Sequence, residues 1–224
     1  SMKELPKNLK LVIFDLDGTL INSTSLWRDI DEEFFARRSL KVPASYGEEI
    51  AHVGLKRAAE ITAERYCPNE TPEDILHEWE EMSIDAYLHK ITLKNHAKEL
   101  IELLYSKGII ITLATANSKT LYEPCLKRLD ILKYFDFVID VNSCKEGKNS
   151  PEIYDKIVQK YDVKKDETII FEDLLEPIIT ASKGGYFVVG VYDENSVRNI
   201  NDNIKYSSIY IRDFNEIISM ILNN

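Results

Sequence analysis

The sequence predicts an α/β protein with a parallel β-sheet, helices on both faces and a helical segment inserted after the first strand. Six short apolar runs rich in Ile, Val, Phe and Tyr mostly alternate with segments of helix length, which is typical of a parallel sheet. The first run is nearly all apolar, as in a strand buried on both faces. A connection of roughly 70 to 90 residues follows it, far longer than a crossover requires.

In chain order, the predicted strands are LKLVIF at 9–14, IIITLAT at 109–115, DFVIDV at 136–141, ETIIFED at 167–173, YFVVGVY at 186–192 and SIYI at 208–211. Segments 95–107 and 151–161 have the length of crossover helices. Because the connections between parallel strands are helical, this order favours helices on both faces of the sheet.

The inserted segment is predicted to be helical. Thr71 is placed to cap a helix, Pro72 takes its first position and Asp74 the capping-box position. Apolar residues recur at helical spacing at Leu26, Ile30 and Phe34, and again at Ile75, Trp79 and Met82. We therefore expect a core formed by 1–21 and 92–224 and a helical cap formed by 22–91, which can lie over the tip of the first strand.

Composition limits the classes of partner. The chain has 224 residues, 44% of them hydrophobic, and a net charge of −10, which argues against nucleic acid or an anionic membrane surface. The sequence shows no stretch long enough to span a bilayer and no signal peptide. Three cysteines without a CxxC pair indicate neither a disulfide framework nor a zinc site. A reducing cytoplasm is the expected compartment.

Two carboxylates end the first predicted strand. In FDLDGTL at 14–20, Asp15 and Asp17 are two apart and are expected to point to the same side. An Asp-Gly hairpin would need a second alternating strand, but helical spacing follows instead. Since open α/β sheets bind ligands at the carboxyl ends of their strands, this tip is a candidate site.

Other polar residues follow the later strands, and a parallel sheet would bring them to the same edge. They are Thr115, Ala116, Asn117, Lys148, Glu172 and Asp173. Carboxylates placed together raise one another's pKa. A divalent cation removes that repulsion, and an all-oxygen set suits Mg²⁺.

This set of residues favours phosphoryl chemistry. A carboxylate beside a metal and Lys148 is a suitable nucleophile toward phosphorus, giving an aspartyl-phosphate. A second carboxylate can protonate the leaving alkoxide and then activate water. Thr115 and neighbouring amides can hold the phosphoryl oxygens. Lys56 and Arg57 in the cap are candidates for substrate contact, with Arg57 suited to bidentate phosphate binding.

With these motifs, the chain resembles the haloacid dehalogenase-like hydrolase superfamily, in its phosphatase and β-phosphoglucomutase-like branch. DLDGT at 15–19, Thr115, Lys148 and Glu172 with Asp173 match its four motifs. The resemblance implies a Rossmann-like core with the first strand central. It implies Asp15 as nucleophile, Asp17 as acid/base, and Mg²⁺ held by Asp15, the Asp17 carbonyl and Asp173, with Glu172 nearby.

The function expected from this resemblance is a Mg²⁺-dependent phosphatase acting on a small phosphorylated metabolite, as a monomer or weak homodimer. A phosphomutase is the alternative, although such enzymes tend to carry a histidine where this chain has Trp27. A phosphonatase would use a cap lysine such as Lys56, but its relatives lack the acid at Asp17. A dehalogenase expels halide, which needs no proton, and would therefore require neither the carboxylate of Asp17 nor a metal. A non-catalytic phosphate sensor would not require the complete set of motifs.

Overall fold

The computed structural model describes residues 4–51 and 53–224, and this part of the chain contains six strands and ten α-helices. The strands are β1 (Leu11–Phe14), β2 (Ile110–Thr115), β3 (Phe137–Asp140), β4 (Thr168–Glu172), β5 (Phe187–Val191) and β6 (Ile209–Ile211). They form one parallel sheet in the order β3-β2-β1-β4-β5-β6. The α/β prediction and all six predicted strands are confirmed.

The helices are α1 (Leu26–Ala36), α2 (Tyr46–Ile50), α3 (Leu55–Tyr66), α4 (Pro72–His89), α5 (Ala97–Ser106), α6 (Lys119–Arg128), α7 (Glu152–Tyr161), α8 (Leu175–Lys183), α9 (Ile200–Tyr206) and α10 (Asn215–Leu222). Short 3₁₀ helices occupy Leu132–Tyr134, Val141–Ser143, Lys165–Glu167 and Glu194–Asn199. Four α-helices therefore lie between β1 and the helix α5 that leads into β2.

Strand β1 lies in the interior of the sheet, between β2 and β4. Phe14, its last residue, is opposite Leu113 of β2 and Phe171 of β4. The carboxyl ends of three neighbouring strands therefore lie side by side, which is where ligands bind in open parallel sheets.

Both faces of the sheet are covered by helices. Leu11 belongs to a buried cluster that includes Ile153 of α7 and Ile178 of α8. Phe14, three positions on and therefore on the opposite face, contacts Phe214 at the start of α10 with ring centroids 6.3 Å apart. Helix α5 packs against both β2 and α10. Burial on both faces explains why β1 is apolar at every position.

The chain divides into two compact units: Ser1–Thr24 with Ile91–Asn224, and Ser25–Lys90. Residues 1–3 of the first unit and residue 52 of the second lie outside the described part. The first unit contains the sheet, and the second contains α1 to α4. The segment 22–91, which we expect to be the cap, includes this second unit.

The helical unit has its own apolar core. Phe34 of α1 and Trp79 of α4 are buried and meet edge to face, with ring centroids 5.8 Å apart. Thr71 caps α4, and its Oγ1 accepts a hydrogen bond from the Asp74 backbone N–H at 3.2 Å, as predicted. Arg38 pairs with two glutamates of this unit and lies 3.6 Å above the Phe34 ring.

Among the described helices, none is both long enough and apolar enough to cross a membrane.

Candidate active site

The turn that follows β1 places the first carboxylate. The Asp15 backbone N–H donates to the Phe171 carbonyl at 3.0 Å, so Asp15 still pairs with β4. The chain then folds back around the Leu16 carbonyl, which accepts hydrogen bonds from three following backbone N–H groups, including that of Leu20. Gly18 adopts φ +85°, a left-handed conformation that favours glycine. The Asp-Gly sequence therefore forms a tight turn at the strand tip.

Four charged side chains meet beside this turn. Lys148 Nζ donates to Asp15 Oδ1 at 2.6 Å and to Glu172 Oε2 at 2.8 Å. Thr19 Oγ1 lies 3.0 Å from Asp15 Oδ2 and 2.8 Å from Asp173 Oδ1. Asp15 and Lys148 each keep 13% of their side-chain surface, whereas Glu172 and Asp173 are buried. The cluster is thus nearly closed, with Asp15 and Lys148 at its accessible side.

The electrostatics show an excess of negative charge. Burial would lower the pKa of Lys148, but Asp15 and Glu172 outweigh it and hold that pKa well above its ordinary value. Burial, followed by repulsion from Asp15, raises the pKa of Glu172 to about 7. The same two causes raise the pKa of Asp173 well above its usual range. One lysine therefore does not neutralise three carboxylates.

The donor set fits a divalent cation. Asp15, Glu172 and Asp173 each offer an oxygen within 4.8 Å of the others. Asp173 Oδ2 is buried and has no hydrogen-bond partner among the described residues. A buried carboxylate oxygen without a donor is costly, and a cation would satisfy it. Oxygen-only ligands suit Mg²⁺.

Asp17 has separate partners. Ser23 Oγ donates to Asp17 Oδ1 at 2.7 Å, and Asn117 Nδ2 donates to Asp17 Oδ2 at 3.3 Å. The structure therefore gives the two carboxylates of DLD different environments. Asp15 faces a lysine, and Asp17 accepts from a hydroxyl and an amide.

The remaining predicted residues divide between the two units. Thr115 ends β2 and is buried, and its Oγ1 accepts from the Asn117 backbone N–H at 3.0 Å, which leaves the hydroxyl proton for another acceptor. The Ala116 carbonyl accepts a hydrogen bond from the side-chain amide of Asn142, in the 3₁₀ helix after β3, at 3.2 Å. Lys56 and Arg57 are exposed in the first turn of α3 in the helical unit, where Arg57 pairs with Glu60 at 3.2 Å. Their part in substrate binding stays a prediction.

Two hydroxyl residues of the site were not predicted from the sequence. Thr19 contacts both Asp15 and Asp173, and Ser23 contacts Asp17. The threonine is the last residue of DLDGT, so its place in the motif was a usable signal. Ser23 lies in NSTS, where three neighbouring hydroxyls gave no reason to prefer one of them.

Comparison with known proteins decides the family. Residues 12–191 match the family described as haloacid dehalogenase-like hydrolase. The chain belongs to this family. The resemblance drawn from the motifs is thereby confirmed, and this haloacid dehalogenase-like protein is an enzyme of the hydrolase class.

Its relatives are named as phosphatases. A phosphorylated carbohydrates phosphatase of Thermotoga maritima is 27% identical over 79% of this chain and 82% of its own length. A phosphoglycolate phosphatase of Vibrio parahaemolyticus is 26% identical over 80% and 82%. A crystal structure from Thermotoga maritima, assigned as a β-phosphoglucomutase, has the same fold, with a TM-score of 0.82 and 22% identity over 96% of this chain and 99% of its own.

We predict that Gly18→Ala destabilises the protein more than its backbone conformation alone explains. A Cβ at Gly18 would lie 2.3 Å from Asp173 Oδ2, whereas a Cβ at Gly108, which has φ +74°, meets no atom within 4 Å. Gly108→Ala should cost about 1 kcal/mol of unfolding free energy from left-handed strain. Gly18→Ala should cost about 1–3 kcal/mol more from the steric conflict. Urea unfolding measures both variants, and equal losses would contradict the close approach of Asp173 to the turn.

Proposed function

We propose that the protein is a Mg²⁺-dependent phosphatase that hydrolyses a small phosphorylated metabolite through an aspartyl-phosphate on Asp15. The observation that carries the proposal is the different setting of the two strand-tip carboxylates. Asp15 lies in the charged cluster beside Lys148, while Asp17, two residues on, accepts hydrogen bonds from the Ser23 hydroxyl and the Asn117 side-chain amide. Relatives named as phosphatases of phosphorylated carbohydrates and of phosphoglycolate support the substrate class.

In the first half-reaction, an Asp15 carboxylate oxygen attacks phosphorus and the bond from phosphorus to the leaving oxygen breaks. Asp17 in its protonated form gives its proton to that oxygen, so the product leaves as an alcohol. Lys148 orients the attacking carboxylate by its short hydrogen bond. We assign the Thr115 hydroxyl and the neighbouring amides to donating hydrogen bonds to the phosphoryl oxygens.

In the second half-reaction, Asp17 acts as a base. It takes a proton from water, the water oxygen attacks phosphorus, and the bond between phosphorus and Asp15 breaks. Inorganic phosphate leaves, Asp15 is a carboxylate again, and Asp17 is protonated for the next cycle. Ser23 and Asn117 hold Asp17 in one orientation for both steps.

The residues that would hold Mg²⁺ are Asp15, Asp173 and the carbonyl of Asp17, with Glu172 beside them. Both oxygens of Glu172 already accept hydrogen bonds, Oε2 from Lys148 at 2.8 Å and Oε1 from the Asp173 backbone N–H at 3.1 Å. We therefore assign Glu172 first to holding Lys148 and second to the metal. A bound Mg²⁺ supplies the positive charge that the three carboxylates and the phosphoryl oxygens require.

We assign the choice of metabolite to the cap, 22–91, through Lys56 and Arg57, and the chemistry to the core, 1–21 and 92–224. A phosphorylated sugar is the preferred substrate class. The phosphomutase alternative uses the same core but must hold a second phosphate, and the sequence relatives named as phosphatases favour hydrolysis. Unpaired cysteines at 67, 125 and 144 support a reducing, cytoplasmic setting, and we propose a monomer or weak homodimer.

Hydrolysis of p-nitrophenyl phosphate should require Mg²⁺, because three carboxylates with one lysine cannot accept a phosphate dianion without further positive charge. EDTA should abolish turnover, and Mg²⁺ in excess of the chelator should restore it. Circular dichroism in EDTA controls for loss of the fold. Undiminished turnover in EDTA would contradict the metal assignment.

Replacing Asp15 by Asn and replacing Asp17 by Asn should impair different steps of the reaction. Asp15→Asn should lose all turnover and never retain phosphate, since the nucleophile is gone. Asp17→Asn should lose about 10²–10⁴-fold in kcat/KM on an alkyl phosphate, with a smaller loss in kcat/KM on p-nitrophenyl phosphate, whose leaving group hardly needs a proton.

Burst kinetics and intact-protein mass measure both variants, with an alkyl phosphate as the second substrate. Phosphate retained by Asp17→Asn but not by Asp15→Asn supports the assigned roles. Labelling of Asp15→Asn, together with equal losses on alkyl and aryl substrates in Asp17→Asn, would show that the roles are wrong.

Arg57→Ala should raise KM for the best substrate in a panel of sugar phosphates by about tenfold or more, the loss of one charge-assisted contact, and change KM for p-nitrophenyl phosphate much less. Arg65→Ala is a matched control on the same helix. Its side chain is 54% exposed against 55% for Arg57, and each arginine pairs with a glutamate. If both substrates suffer equally, or Arg65→Ala has the same effect, Arg57 does not contact the metabolite.

A further inference from the structure

The two segments that connect the core to the helical unit Ser25–Lys90 pair with each other. The backbone N–H of Asn22 donates to the Thr92 carbonyl at 2.8 Å, and that of Lys94 donates to the Leu20 carbonyl at 2.8 Å. The segment that leaves the core, around Leu20 to Asn22, and the segment that re-enters it, around Thr92 to Lys94, therefore form a short two-stranded ribbon. This ribbon continues directly from the turn that bears Asp17.

A buried carboxylate holds both segments at once. Asp193 follows β5 and is 2% exposed. Its Oδ1 accepts from Lys94 Nζ at 2.7 Å and from Thr24 Oγ1 at 3.1 Å, and its Oδ2 accepts from the Asn195 backbone N–H at 3.1 Å. The Asn195 side-chain amide in turn donates to the Thr24 carbonyl at 2.9 Å. We call Asp193, Lys94, Thr24 and Asn195 the connection clamp.

The connection clamp is one residue away from a partner of Asp17. Thr24 directly follows Ser23, whose hydroxyl donates to Asp17 Oδ1 at 2.7 Å. The Thr24 methyl group also packs against the turn that follows β1, since a Cβ at Gly18 would be 2.9 Å from Thr24 Cγ2. The clamp, by holding Thr24 in place, therefore also holds the neighbouring Ser23 hydroxyl, which orients Asp17, and maintains the packing against Gly18.

We propose that Asp193 is a positioning residue for the acid/base step, acting through Thr24 and Ser23 on Asp17. This inference rests on the proposed phosphatase chemistry. Asp15 is oriented from a different direction, by Lys148 and Thr19. Release of the connection clamp should therefore impair proton transfer to the leaving group while leaving the nucleophile and its charge partner in place.

A simpler role for Asp193 is to cap the 3₁₀ helix Glu194–Asn199, because its side chain accepts from the Asn195 N–H. Lys94 and Thr24 separate the two roles, since neither takes part in that cap. Lys94→Met keeps most of the apolar stem and removes the charge. Thr24→Val removes the hydroxyl and keeps a methyl group against Gly18.

The test compares phenyl phosphate with p-nitrophenyl phosphate in Mg²⁺ for Asp193→Asn, Lys94→Met and Thr24→Val. Phenolate needs a proton to leave much more than p-nitrophenolate does. Each variant should lose about tenfold or more in kcat/KM on phenyl phosphate, as for a slightly misplaced catalytic group, and about threefold or less in kcat/KM on p-nitrophenyl phosphate. We compare kcat/KM because it reports the steps up to release of the leaving group, whereas kcat also includes hydrolysis of the phosphoenzyme, which is the same for both substrates. The double variant Asp193→Asn with Lys94→Met should lose no more than the worse single variant, because both act through one carboxylate.

Glu167→Gln is the control. Glu167 is also a buried carboxylate, 7% exposed, and it is paired with Lys10 at 3.0 Å just before β4, at the opposite edge of the sheet. Its loss should lower stability and leave the ratio of the two kcat/KM values unchanged. Equal losses on both substrates in the clamp variants, or no loss in Lys94→Met and Thr24→Val, would overturn the proposal.

Hydrogen exchange by mass spectrometry supplies a readout independent of turnover. The peptides covering 20–25 and 91–96 should exchange faster in all three clamp variants and at the unchanged rate in Glu167→Gln. Faster exchange there in the variants, combined with a wild-type protein that hydrolyses neither phosphate, would refute the phosphatase assignment but not the clamp. Unchanged exchange in the variants would refute the clamp itself.

Discussion

The site depends on one electrostatic constraint, which is that three carboxylates share a single lysine in a nearly closed cluster. Asp15 and Glu172 each bond to Lys148, and Asp173 is tied to Asp15 through Thr19. Burial and mutual repulsion raise the pKa of Glu172 and of Asp173. Such an arrangement is unfavourable for stability on its own. It is held at the carboxyl ends of neighbouring strands of one parallel sheet, and it creates a demand for positive charge that a bound divalent cation would satisfy.

The parallel sheet makes this crowding possible. Because β1 lies between β2 and β4, the residues after three neighbouring strands occupy one edge. The left-handed turn at Gly18 then leaves room for Asp173, since a side chain there would collide with its carboxylate. The apolar sequence of β1 and Gly18 therefore both help to bring the acidic groups together. The apolar sequence buries β1 between β2 and β4, and the missing side chain at Gly18 lets Asp173 approach the turn.

Local patterns predicted much of this from the sequence. The apolar runs gave the strands, the Thr71 cap gave a helix start, and the motif residues gave the cluster around Asp15. The hydroxyl contact of Ser23 with Asp17 and the contacts of Asp193 had no such pattern. Asp193 meets Thr24 across 169 positions of sequence, and an acid after a strand is usually only a loop residue. Contacts of this kind depend on tertiary packing, which periodicity does not encode.

The two strand-tip carboxylates are two residues apart but are held by different parts of the core. Asp15 is bound to groups of the sheet and of the loop before α7, so its position follows the most buried part of the molecule. Asp17 is bound through Ser23 to the segments that lead to the helical unit. A halide-expelling enzyme needs no second carboxylate, and a phosphate-binding protein needs no separately oriented acid. The separate support of Asp17 accords with the proposed phosphatase, in which the leaving group must receive a proton and a water must lose one. Proton transfer would then depend on the connecting segments, while nucleophilic attack would not.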